Sequence, residues 1–116
     1  MNRVAGVRWW AAPIAALGAA VVATAPASAA EDASVERGRQ IAVAACADCH
    51  AIGPAGESPK AEAPRFRDLG RKYPVESLEE ALAEGVVVGH PGMPQVKMNE
   101  ADIGAFLAWL KTVQTR

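Results

Sequence analysis

The chain has 116 residues and a nearly balanced charge, 12 Lys+Arg against 13 Asp+Glu. That length suits one domain, and the absence of a basic stripe excludes a nucleic-acid-binding surface. The apolar fraction is inflated by an alanine-rich opening of thirty residues.

That opening reads as a signal peptide over residues 1–30. Arg3 and Arg8 make a basic start, an apolar run from Trp9 to Ala25 follows, and Ala27-Ser28-Ala29 supplies the small residues a signal peptidase needs. Cleavage is expected after Ala29 or Ala30. The two arginines are not adjacent, which favours the general secretory (Sec) route over a twin-arginine one. The alternative is an uncleaved membrane anchor, but the run falls short of the roughly 20 residues a spanning helix needs. It also contains Pro13 and Gly18. Residues 31–116 are then the mature domain. Without Arg3 and Arg8, ten basic residues face thirteen acidic ones, a formal charge of −3. A domain this short buries little surface and gains from a covalent staple or a large apolar cofactor.

The first mature helix is expected to begin near Val35, capped by Ser34 or Asp32, with Glu36 in its first turn. Its inner stripe would be Gly38, Ile41, Ala42 and Ala45, at spacings of three and four. Small side chains there let a second helix approach closely. The helix runs into Cys46, the first of only two cysteines; Cys49 follows, and His50 immediately after it.

The spacing C-x-x-C-H is the attachment signature of c-type haem. Two thiols one helical turn apart can add across the two vinyl groups of one porphyrin edge. The adjacent His50 then lies under the ring, where its imidazole can bind iron. A redox-active C-x-x-C disulfide is one alternative, but such sites sit in a βαβ setting and no convincing strand run is present. A zinc site of Cys46, Cys49, His50 and His90 is another, and chance spacing a third.

Ala51 to Ala63 is dense in turn-formers, Gly53, Pro54, Gly56, Ser58 and Pro59 among them, and reads as a loop. Glu57, Lys60 and Glu62 in it read as solvated surface. Arg65–Leu69 can form a short helical piece. Pro74 opens the next helix, with Leu78, Ala81 and Leu82 as its apolar stripe and Gly85 as its stop. Val86–Met98 reads as an extended loop holding Met93, Met98 and His90; Val86–Val88 has no second run to pair with as a strand. In the last helix Asn99 is the cap and Asp102 stands where a capping box puts its acid. Ile103, Phe106, Leu107, Leu110 and Val113 share one face, with Trp109 beside it as core or haem-edge packing, a partner-facing role being the alternative.

With these residues in place, Val35–Val113 resembles the class I bacterial cytochrome c family. Four ordered features carry the resemblance: the Gly38 helix, Cys46-Ala47-Asp48-Cys49-His50, His90-Pro91-Gly92-Met93-Pro94, and the Asp102–Leu107 helix. It implies an all-α, small cytochrome c fold, about four helices and loops wrapped round one covalent haem c. It implies that Gly38 lies at a crossing of the first and last helices, packed against Ile103 and Phe106. Where the family often has an aromatic residue four positions on, this chain has Ala42, so the crossing is either looser or leans on Phe106 and Trp109. The resemblance also implies that Pro64, rather than Pro54 or Pro59, offers its carbonyl to the imidazole of His50. It selects Met93, the methionine followed by proline, as the second axial ligand. Met98 and His90 remain alternatives.

Cofactor contacts are thus expected from Cys46, Cys49, His50 and Met93, with His50 and Met93 on the iron. The resemblance implies a non-enzymatic, periplasmic one-electron carrier between a dehydrogenase or reductase and a terminal acceptor. A tightly bound subunit of a larger oxidoreductase and a gas-binding haem protein are the alternatives. Redox partner proteins are expected to dock weakly and transiently at the haem edge, with neither nucleic acid nor, after cleavage, a membrane as partner. Only Lys60, Lys72, Lys97 and Lys111 remain as lysines, so steering is expected to be weak and rates to change little with salt.

Overall fold

The computed structural model describes Gly6, residues 18–85 and residues 91–116. Most of the expected leader, the Val86–Val88 run and His90 lie outside them. Among the described residues the chain is helical and has no strand: α1 (Ala27–Ala45), a 3-10 helix (Phe66–Arg71), a 3-10 turn (Val75–Ser77) leading into α2 (Leu78–Glu84), and α3 (Glu100–Thr112). Four helical segments joined by loops match the expected all-α class. Among the described residues no helix is long and apolar enough to cross a membrane.

α1 begins eight residues before the expected start, with extended Pro26 as its N-cap (φ −61°, ψ 141°). Asp32 and Ser34 are therefore inside the helix and cap nothing. The reason is local: Ala27-Ser28-Ala29-Ala30 is rich in the best helix former, so nothing stops the helix from propagating back. Pro26 then ends it, because proline disfavours helical backbone in the residue before it. Glu36 is not in the first turn but on the exposed side, where hydrogen bonds from Arg39 (2.8 Å) and Gln40 (3.1 Å) hold its carboxyl down to about 2.

Of the expected inner stripe, Gly38 and Ala42 are buried and Ile41 is half-buried, but Ala45 is exposed to a cleft rather than packed in the core. Gly38 is where α1 meets α3. A Cβ there would run into the carbonyl of Ala105 and stand 2.7 Å from Cβ of Trp109, so only glycine fits. The partners nearest Gly38 are thus Ala105 and Trp109, not the expected Ile103 and Phe106. Ala42 is fully buried, and the indole of Trp109, also buried, packs against Phe66 and Phe106.

α3 supplies half of the core. Ile103, Ala105, Phe106, Leu107, Trp109 and Leu110 are buried, and Val113 is half-buried against them. Each large apolar side chain buried on such a face contributes ~1.5–3 kcal/mol. Phe66, Leu69, Val75 and Leu82 complete the cluster from the other segments. Asn99 caps α3 as expected, its Oδ1 accepting from the Asp102 N–H at 2.8 Å. The return bond differs from a capping box: Asn99 Nδ2 donates to Asp102 Oδ2 at 3.1 Å, side chain to side chain. Asp102 also accepts from Arg37 at 3.0 Å, which ties the start of α3 to α1. Pro74 precedes the Val75 turn, and Gly85 stops α2 with φ +93°, a conformation that favours glycine.

Candidate haem site

The end of α1 sets the site. Cys46 and Ala47 both donate backbone N–H to the Ala42 carbonyl, at 2.9 and 3.1 Å, and Cys49 and His50 both donate to the Cys46 carbonyl, at 3.2 and 3.0 Å. This tight wrap places the two thiols and the imidazole on one wall of a cleft of about 300 Å³. Both cysteines are free and half-buried. Burial pushes the Cys46 thiol up to about 11. A redox-active C-x-x-C needs the opposite, a thiol lowered by nearby positive charge or a helix N-terminus. The zinc alternative required His90, outside the described residues; among those described, no three His, Cys, Asp or Glu side chains converge to hold a metal ion.

His50 is held from two sides. Its Nδ1–H donates to the Pro64 carbonyl at 2.7 Å, the acceptor that the resemblance implied. With Nδ1 carrying the proton, Nε2 keeps its lone pair and is the atom free to bind a metal. The ring also lies against Phe66, centroids 4.8 Å apart and planes tilted by 40°. Phe66 in turn meets Phe106 edge-on at 6.0 Å and Trp109 at 6.2 Å. Trp109 therefore belongs to the core behind the site and does not line the cleft.

The loop that supports this wall is pinned by its own polar groups. Phe66 N–H donates to the Ala51 carbonyl (2.9 Å), Ala51 N–H to Ser58 Oγ (3.0 Å), and Lys60 N–H to the Cys49 carbonyl (3.1 Å). Arg67 is buried, and its guanidinium donates to the carbonyls of Gly56 (2.7 Å) and Gly53 (3.4 Å). Phe66 and Arg67 escape a reading of the sequence. Nothing in Arg65-Phe66-Arg67 says which of the two arginines is buried, since that follows from where the Gly53–Gly56 bend lies in space.

The opposite wall is formed by Pro91 to Pro94 and Val96. Met93 is half-buried and faces the same cleft as Cys46, Cys49 and His50, whereas Met98 does not line it. Met98 packs half-buried against the core, and its N–H donates to the Leu82 carbonyl at 3.1 Å. Gly92 has φ +83°, and its carbonyl accepts from Lys60 Nζ at 3.4 Å. Lys60 and Glu62 are exposed, as expected for polar loop residues, yet both also line the cleft.

A flat apolar ring bearing a metal suits this donor set: two thiols and an imidazole with a free Nε2 on one side, a soft thioether on the other, and apolar walls between. The family model for cytochrome c matches residues 35–114. No curated protein and no solved structure matches the chain.

Proposed function

The chain belongs to the cytochrome c family, whose members transfer electrons through covalently bound haem c, and from that premise we propose an exported, periplasmic one-electron carrier with His50 and Met93 as axial ligands. Haem supplies the redox chemistry by cycling between Fe(III) and Fe(II). Cys46 and Cys49 anchor it by thioether bonds, and the Pro64 carbonyl fixes the tautomer and the plane of His50. The observation that carries the reading is that hydrogen bond, made at 2.7 Å in the same cleft that Met93 lines.

Two protein ligands leave no open position for a substrate, which supports a carrier rather than an enzyme. A thioether is soft and neutral, favours Fe(II) and raises the potential. Docking is proposed at the mouth of the cleft, where Lys60 and Glu62 bring opposite charges that nearly cancel. That fits the weak steering and flat salt dependence expected from the lysine count.

Export is supported by the basic start, the apolar run and Ala27-Ser28-Ala29. Cleavage after Ala29 or Ala30 removes the first turn of α1 and leaves Asp32 near the new helix start, where a carboxylate is favourable. Intact mass spectrometry of the periplasmic protein is expected to give a chain starting at Ala30 or Glu31 plus one haem. An intact Met1, or haem lost on denaturation, overturns the corresponding part.

Ligation is tested by substitution. Met93→Leu is expected to erase the weak sulfur-to-iron band in the red of the oxidised spectrum and to open the iron to added imidazole. Met98→Leu is expected to keep the band. The reverse pattern hands the role to Met98, and a wild-type protein without the band rejects methionine ligation.

A further inference from the structure

The 3-10 helix Phe66–Arg71 begins with the ring that rests on His50 and directly follows Pro64 and Arg65. Its position therefore sets both the Pro64 carbonyl and the Phe66 ring. What fixes that helix from behind is the tail that leaves α3. Gln114 makes three hydrogen bonds there: Nε2 donates to the carbonyls of Phe66 (2.9 Å) and Leu110 (2.8 Å), and Oε1 accepts from Gly70 N–H (2.7 Å). Thr115 adds its N–H (2.9 Å) and its hydroxyl (3.0 Å), both donated to the Arg67 carbonyl. Every polar atom of the Gln114 amide is thus spent on one end or the other of this helix and on the end of α3. Gly70 is shaped to it: a Cβ there would stand 2.9 Å from Gln114 Oε1.

We propose that Gln114 is a positioning residue for the proximal ligand, acting through Phe66 and Pro64 on His50 and so on the redox potential. The proposal rests on His50 being the iron ligand. The physical chain is short. Gln114 holds the Phe66 carbonyl, Phe66 N–H holds the Ala51 carbonyl, and Ala51 is the residue after His50. Loss of the clasp lets the 66–71 helix shift away from His50 and lengthens the Nδ1–H to Pro64 bond. A weaker bond there makes the imidazole a poorer donor, which destabilises Fe(III) more than Fe(II) and raises the potential.

The test uses the full holoprotein. Gln114→Met keeps the length of the side chain and removes all three hydrogen bonds. Gly70→Ala pushes the Gln114 amide aside without touching Gln114. Both are expected to raise the potential, changing the Fe(II)/Fe(III) ratio at a fixed poise by about threefold, which is ~30 mV at 59 mV per tenfold for one electron. Both are also expected to speed exchange of the His50 Nδ1–H, read by NMR in the reduced protein. A merely structural tie would lower the melting temperature and move neither readout, and that result overturns the proposal. If Gln114→Met yields no holoprotein, Gly70→Ala decides alone, and an unshifted potential and exchange rate there overturn it equally. A wild-type protein with no histidine-ligated haem spectrum breaks the carrier reading and this proposal with it. A normal wild-type spectrum with unshifted variants breaks the clasp only.

Discussion

On and around one wall of the cleft, protein hydrogen bonds of 2.7–3.0 Å join His50 to Pro64, Phe66 to Ala51, Ala51 to Ser58, and Arg67 to Gly56. On the other, among the described residues, the one hydrogen bond into Pro91–Lys97 is the 3.4 Å contact from Lys60 to the Gly92 carbonyl. The difference follows from what each proposed ligand needs. An imidazole has a ring plane and two nitrogens, so it binds well only when its tautomer and orientation are fixed beforehand. A thioether has neither constraint. Met93 has three rotatable bonds and a sulfur that bonds from many directions, so the proposed metal bond would itself finish that wall.

Substitutions can break this contrast. The largest effect is expected at Arg67. Arg67→Met keeps the buried stem and removes the donors to Gly53 and Gly56, which is expected to cost about 2 kcal/mol, since hydrogen bonds to charged groups contribute ~1.5–3 kcal/mol. For a domain of this size that lowers the melting temperature by about 10 °C. The red sulfur-to-iron band is expected to stay, because the opposite wall is untouched. Thermal unfolding followed by visible absorption reads both quantities at once. A lost band with unchanged stability would invert the assignment of the two walls.

A smaller loss of stability is expected at Gly92, with a larger change in ligation. Its φ of +83° costs a side chain about 1–2 kcal/mol. Gly92→Ala can relieve that strain by moving the neighbouring Met93 backbone, since so little hydrogen bonding holds this loop in place. The expected outcome is a weakened red band and tighter imidazole binding, with a melting temperature nearer the wild type than that of Arg67→Met. An unchanged band with a full loss of stability would mean that the Met93 wall is as firmly built as the other.

The elements differ in how far they could be read from the sequence. The Asn99 cap, the α3 face and the Gly85 stop were legible because each depends on residues within one or two turns of each other. C-x-x-C-H was legible because haem attachment fixes the spacing of its residues, and Pro64 and Gly38 because the family resemblance pointed to them. The start of α1 was misplaced: Ser34 and Asp32 are good cap residues, but a cap ends a helix only if the residues before it resist helix formation, and Ala27–Ala30 do not.

The sequence by itself determined that this is a helical chain with a c-type haem motif; the resemblance to a family added that Gly38 sits at a helix crossing and that Pro64 is the acceptor for His50. Only the tertiary structure decided which atoms meet. It put Ala105 and Trp109, not Ile103 and Phe106, against Gly38. It buried Arg67 while leaving Arg65 to pair with Asp68 and Glu57 at 2.7 and 2.9 Å. It also brought Gln114 onto Phe66 and Gly70, more than forty positions away. Spacing along a chain encodes contacts within a helix or a turn. Contacts between distant segments depend on how the helices pack round a shared core, and no local pattern carries that.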